Sequence, residues 1–199
     1  MLPLYFRHIH ITGQAHLPRT GPVILAPTHR SRWDALLVPY ATGRHVSGRD
    51  LHFMVTANEM RGCQGWLIRR LGGFAIDPCR PGISSLRHGL QLLKAQQVLT
   101  IFPEGDIFRD GNLHPLKPGL ARLALQAERD RPGLNPQIVP IHIRYDRPVP
   151  TWGSTATISI GVPVAIGPYQ SLPPKAATRA ILNDLHLALD ALATDPSLP

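Results

Sequence analysis

Apolar and polar positions alternate along this chain in two rhythms. Short runs rich in β-branched and aromatic residues, bounded by Gly, Pro or Asn, predict strands. They are "HIHIT" (His8 to Thr12), "VILAP" (Val23 to Pro27), "LHFMVT" (Leu51 to Thr56), "FAI" (Phe74 to Ile76), "VLTIF" (Val98 to Phe102), "IVPIHIRY" (Ile138 to Tyr145), "ATISI" (Ala156 to Ile160) and "VPVAI" (Val162 to Ile166). "VILAP" and "VLTIF" are almost continuously apolar, as strands buried on both faces must be. Elsewhere the apolar spacing lengthens to three and four, predicting helices over Trp33 to Ala41, Glu59 to Leu71, Ile83 to Ala95, Leu120 to Arg129 and Lys175 to Ala193. Ile83, Leu86, Leu90 and Leu93 share one face of the third, and Ile181, Leu182, Leu185, Leu189 and Leu192 repeat along the last. Pro118 suits a helix start, where its missing N–H costs nothing.

Strand–helix alternation as far as Tyr145 predicts an α/β fold, a mixed twisted sheet of about seven to eight strands with helices on both faces. The two short strands in "ATISIGVPVAI" are expected near a sheet edge. In such sheets functional loops gather at the carboxyl ends of strands. The segments that carry His29 and Glu104 both leave strands in that direction.

Composition narrows the picture. The chain has 199 residues, 43% of them hydrophobic, and its 21 prolines are dispersed. With no repeat or low-complexity tract, a single domain over 1–199 is expected, with a motif-bearing core at about 21–145 and C-terminal strands and helix over 156–193. No apolar run reaches the ~18–20 residues that span a bilayer. The start, "MLPLYFRHIHITG", lacks the apolar core and cleavage site of a signal peptide, so a cytoplasmic location is expected. Cys63 and Cys79 offer neither a disulfide framework nor zinc-ligand spacing, and no metal site is expected.

The net charge of +8 is one-sided: residues 1 to 100 hold 12 basic and 4 acidic side chains, and the rest hold 9 of each. Eighteen of the 21 basic residues are arginines, which suit bidentate contacts with phosphate. The field points to an anionic partner such as phospholipid headgroups or a phosphorylated substrate. Nucleic acid is not supported, because no aromatic-basic RNA motif or zinc finger is present.

Three constellations carry candidate chemistry. In "THRSRWD" (Thr28 to Asp34), His29 and Asp34 stand five positions apart at a strand-to-helix junction. Asp34 could fix the tautomer of His29 and raise the basicity of its other nitrogen, or simply occupy a favourable first-turn position on a helix. In "IFPEGDIFRDG" (Ile101 to Gly111), a strand runs into a turn that holds Glu104, a group better suited to binding hydroxyls than to acting as a base. Lys117 precedes a proline-started helix, where an ammonium and free N–H groups can converge on phosphate.

Taken together, "THRSRWD", "LGGFAID", "IFPEG" and "IVPIHI" resemble, in order and spacing, the motif blocks of the glycerophospholipid acyltransferases, the lysophospholipid acyltransferase superfamily that includes 1-acylglycerol-3-phosphate acyltransferases. The resemblance implies a glycerol-3-phosphate acyltransferase-like fold and an O-acyltransferase. An acyl group would pass from acyl-CoA or acyl carrier protein, as co-substrate, to a hydroxyl of a glycerolipid or lysophospholipid, with no further cofactor. His29 would be the base and Asp34 its partner, with Glu104 and Gly105 forming the acceptor-site turn. Lys117 matches the family's lysine before a glycine. Two arginines of the family pattern are missing: Pro78 and Ile107 stand in their places. Arg80 and Arg109, two positions later, are the candidate substitutes. A less phosphate-dependent acceptor is therefore expected. A non-catalytic anionic-lipid-binding relative with a decayed acceptor site is the rival. A third reading is a hydrolase that uses His29 on water.

Relatives often dip N-terminal helices into the bilayer, whereas this sequence has little ahead of its first strand. Peripheral membrane contact is expected instead from Met60 to Gly73, where Trp66, Arg69 and Arg70 combine an aromatic with cations. A core-facing helix has the same apolar spacing.

Overall fold

The computed structural model describes residues 2–56, 66, 68, 70, 72–76 and 83–194. In chain order the elements are α1 (Leu2–Tyr5), β1 (His8–Thr12), β2 (Val23–Pro27), α2 (Asp34–Thr42), α3 (Arg44–Ser47), β3 (Leu51–Thr56), β4 (Gly73–Ile76), α4 (Ile83–Lys94), β5 (Val98–Thr100), α5 (Gly119–Asp130), β6 (Gln137–Tyr145), β7 (Thr155–Ile160), β8 (Val164–Ala165) and α6 (Pro174–Ala193). The strands form one mixed sheet in the order β1-β7-β6-β2-β5-β3-β4, with β8 also pairing β6.

Five strands, β6, β2, β5, β3 and β4, run parallel. A parallel centre must be covered on both faces, and the alternation of side chains along a strand assigns the cover. On β2, Ile24 and Ala26 join Leu93 of α4, Leu123 of α5, and Ile181 and Leu185 of α6. The intervening Val23 and Leu25 join Phe6, Leu37 and Val38 of α2, and Ile141 and Ile143 of β6. Every residue of β2 is buried, which is why this stretch reads as an apolar run.

β7 runs antiparallel to β6, and β1 parallel to β7. The carboxyl ends of β2, β5 and β6 therefore share one edge of the sheet with the amino ends of β1 and β7. The loops that hold His29 and Glu104 lie there, together with α1 and the β6–β7 connection.

Two strands are shorter than the sequence expectation. β5 stops at Thr100, because after one more bond, from Ile101 N–H to Leu25 O at 3.0 Å, the chain turns into Phe102-Pro103. The "VPVAI" strand shrinks to Val164–Ala165. Mid-strand Pro140, which has no N–H to give, lies where β7 ends, and its carbonyl accepts from Gly161 N–H at 2.9 Å. A methyl on Gly161 would approach Pro140 Cγ to 2.9 Å, so the close crossing requires glycine. The pair of strands lies near the sheet edge, as expected, with β1 outside β7 and β8 paired to β6. The helix expected over Glu59 to Leu71 lies largely outside the described residues. Among the described residues, no helix is long and apolar enough to cross a membrane.

Candidate active site

The loop after β2 is held from three sides. Thr28 extends the pairing with β6, donating its N–H to Ile141 O at 2.9 Å and accepting Ile143 N–H on Oγ1 at 2.9 Å. The His29 backbone N–H donates to Glu104 Oε2 at 3.0 Å, and its carbonyl accepts Phe108 N–H at 2.9 Å. The imidazole stacks on Phe102, with ring centroids 4.0 Å apart.

His29 Nδ1 lies 2.9 Å from Asp34 Oδ2. The same oxygen accepts Arg30 N–H at 2.6 Å and Ser31 N–H at 2.8 Å, and Oδ1 accepts the Tyr145 hydroxyl at 2.5 Å. Asp34 is the first residue of α2, so its acidic side chain also stands in the helix's first turn. Its carboxylate ties down residues ahead of α2 and does not cap the helix's own amides. A carboxylate at this position can accept an Nδ1 hydrogen, the tautomer in which the free lone pair lies on Nε2. Asp34 is fully buried, whereas the His29 side chain is 19% exposed. Burial, reinforced by the adjacent Asp34 charge, pushes the Tyr145 phenol far above its ordinary range and keeps it a donor.

Glu104 differs from the hydroxyl-binding group expected. It is 1% exposed, and protein donors already occupy its oxygens: His29 N–H, His114 N–H at 3.0 Å, and Arg30 Nη1 at 3.0 Å from both Oε1 and Oε2. The turn beyond it is made by a glycine. Gly105 has φ of 79°, and a methyl there would meet Lys117 Cγ at 3.2 Å, so the lysine stem lies against the turn. Lys117 N–H also donates to Pro103 O at 2.7 Å. Lys117, Arg109 and Asp106 are exposed.

Some residues at this site carried no sequence signal. Arg30 is buried, with Nη2 lacking a hydrogen-bond partner among the described residues. His114 stacks on Phe108 at 3.7 Å between centroids and hydrogen-bonds Asp110, which holds that carboxyl below the usual range. Arg30 is one step from His29 in sequence, but its partner Glu104 is 74 positions away, and only the fold joins them. Of the expected membrane-contact residues, Trp66 is exposed with the Arg70 guanidinium carbon 4.9 Å from its ring centroid. Arg69, Arg80, Pro78 and both cysteines lie outside the described residues.

A sheet edge that buries a carboxylate beside one imidazole nitrogen, and leaves the imidazole partly exposed, marks the candidate site of this α/β protein. This chain belongs to the Acyltransferase family, whose profile matches residues 8–144. It is similar to mitochondrial glycerol-3-phosphate acyltransferase 1 of Sus scrofa, at 31% identity over 144 residues, 63% of this chain and 16% of that protein. It is also similar to 1-acyl-sn-glycerol-3-phosphate acyltransferase alpha of Homo sapiens, at 32% identity over 129 residues, 63% of this chain and 44% of that protein. The chain thus corresponds to less than half the length of these relatives. Among solved structures, the 1-acyl-sn-glycerophosphate (LPA) acyltransferase PlsC from Thermotoga maritima shares the fold, with a TM-score of 0.69 over 96% of this chain and 74% of that one, at 18% identity.

Proposed function

We propose that this protein is an O-acyltransferase that moves a fatty acyl group from an acyl thioester, acyl-CoA or acyl carrier protein, to a hydroxyl of a glycerolipid or lysophospholipid. The observation that carries this reading is the His29 Nδ1–Asp34 Oδ2 contact, with three further donors anchoring the carboxylate. In the proposed step, Nε2 takes the proton of the acceptor hydroxyl as its oxygen attacks the thioester carbonyl. Asp34 stabilises the imidazolium that forms. The tetrahedral intermediate then expels the thiolate, which takes the proton from Nε2, and the acyl oxygen ester remains. General-base help of this kind is worth ~10²–10⁴-fold. Glu104 acts through the backbone of His29 and the charge of Arg30, as a positioning residue. The Gly105 turn, Lys117 and Arg109 form the acceptor side, with Arg80 as a further candidate.

The two curated relatives above are named for phosphate-bearing acceptors. For this chain we propose a less phosphate-dependent one: another lysolipid, a neutral glyceride or a different lipid alcohol. Pro78 and Ile107 in place of arginines support that, as does the exposed Asp106 carboxylate beside Gly105. We also propose cytoplasmic, peripheral association with membranes, with Trp66, Arg69 and Arg70 among the contacts; the positive charge of the first hundred residues supports it. A screen of acceptor lipids with a radiolabelled acyl thioester, with a His29→Ala control, tests the reading. Label should reach lipid alcohols lacking a phosphomonoester, and the control should transfer almost none. Acylation of lysophosphatidic acid alone would overturn the acceptor proposal. Label released only as free fatty acid would point to hydrolysis instead.

A further inference from the structure

At the sheet edge that carries His29, a group of apolar side chains faces outward. Leu4 and Trp152 are each 73% exposed and Val149 is 55% exposed, values that are uncommon for side chains of this size grouped together. They belong to one structure. Gly153 N–H donates to Tyr5 O at 2.8 Å, and the Tyr5 hydroxyl donates to Pro150 O at 3.2 Å, which ties the β6–β7 connection to α1. The Tyr5 ring lies 5.8 Å from Trp152 and 4.2 Å from Trp33, centroid to centroid. Trp33 immediately precedes Asp34. The Phe6 ring continues inward to Tyr145 at 6.0 Å, and Tyr145 holds Asp34. An exposed apolar shelf is thus joined by packed rings to the carboxylate behind His29.

We infer that this shelf docks on the surface of an anionic phospholipid bilayer. The two segments that form it, with the adjoining loop before α2, also carry exposed Arg7, Arg32 and Arg147, against a single exposed acid, Asp146. Tryptophan and leucine beside arginines match the boundary between acyl chains and anionic headgroups, where an indole sits with its ring apolar and its N–H hydrated. A protein partner would need a matching acidic rim around an apolar centre, whereas a bilayer supplies both everywhere. Docking here would bring the lipid surface to the loop that holds the base. The inference rests on the acceptor being a lipid, as proposed above, and it places the principal contact on this shelf and not on Trp66.

The test is binding of the full chain to phosphatidylcholine vesicles with and without phosphatidylglycerol, with no thioester present. Leu4→Ser/Trp152→Ser should weaken binding to the anionic vesicles at least tenfold, and Trp66→Ser should change it less than threefold. The chain has three tryptophans, Trp33, Trp66 and Trp152. With Trp33→Phe and Trp66→Phe in place, brominated lipid should quench the remaining Trp152 emission. His29→Ala should bind vesicles like the wild type, so absent turnover and absent docking are separate results. Unchanged binding by the shelf variant, or binding lost only with Trp66→Ser, would overturn the inference. So would a stable dimer of the wild type that the shelf variant abolishes, because that would assign the surface to a second copy of the chain.

Discussion

The loop that carries His29 and the segment from Asp106 to Lys117 lie at the same edge of the sheet, yet they are built in opposite ways. In the first, charged groups are buried and each is held by several partners: Asp34 accepts four hydrogen bonds, and Glu104 fastens His29, Arg30 and His114 at once. In the second, the charges are exposed and bond to near neighbours, Asp106 to Ile107 N–H and Asp110 to Asn112 N–H and His114. A buried, multiply bonded charge cannot change without leaving its partners unpaired, whereas an exposed one can change at little cost to folding. The fold thus fixes the geometry of the proposed base and leaves the proposed acceptor side free to vary. That contrast accounts physically for an intact His29–Asp34 pair beside a segment where Ile107 replaces an expected arginine. Glu104 stands at the border, on the acceptor-side turn in sequence but among the buried groups in space.

Substitutions sharpen the contrast in order of expected effect. Asp34→Asn should reduce acyl transfer by about 10³-fold, or ~4 kcal/mol, because an amide neither fixes the Nδ1–H tautomer reliably nor balances an imidazolium. Steady-state kinetics would show the loss in kcat with little change in the far-ultraviolet circular dichroism. Glu104→Gln leaves the buried Arg30 guanidinium without its counter-charge and should cost ~3–5 kcal/mol of stability in urea unfolding. Adding Arg30→Met should recover part of that, since it removes the orphaned charge. Recovery of stability without recovery of rate would mark Glu104 and Arg30 as positioning groups.

A third substitution tests the buried face beneath the site. Burial, helped by the charges of Arg30 and Arg144, pushes His142 down to about 4 from 6.5. The unfolded chain therefore binds a proton at higher pH than the folded one. The stability that depends on neutral His142 is fully present above pH 6.5 and is lost as pH falls through 4, a span worth about 3 kcal/mol. His142→Asn should flatten this stretch of the stability profile in denaturation curves taken across pH. The smallest effect is expected on the exposed side. Asp106→Asn should shift stability by no more than ~0.5 kcal/mol. It should lower KM several-fold for phosphate-bearing acceptors only, measured against a neutral lipid alcohol.

The sequence carried much of this architecture because its signals were local. β1, β2 and β3 run over the residues their alternation predicts, and α6 starts one residue before its expected beginning. The five-residue spacing of His29 and Asp34 was legible for the same reason. Contacts between distant segments were not. Nothing in "IFPEG" reveals that the Glu104 carboxylate points back at the His29 backbone, and Tyr145 read only as the end of an apolar strand. The exposure of Leu4 and Trp152 was equally hidden, because an apolar residue in a short segment has the same letter whether it faces the core or solvent. β5 ended early because Phe102 leaves the strand to stack on His29, a choice that tertiary packing makes and strand propensity does not.

The most direct measurement is transfer of labelled acyl group from thioester to lipid hydroxyl by His29→Gln, compared with wild type on the same acceptor. Glutamine can still hydrogen-bond Asp34 but has no basic nitrogen. With His29 as the base, transfer falls at least ~100-fold while the fold and vesicle binding are kept. A His29→Gln protein that transfers acyl groups at a rate near wild type would contradict that assignment.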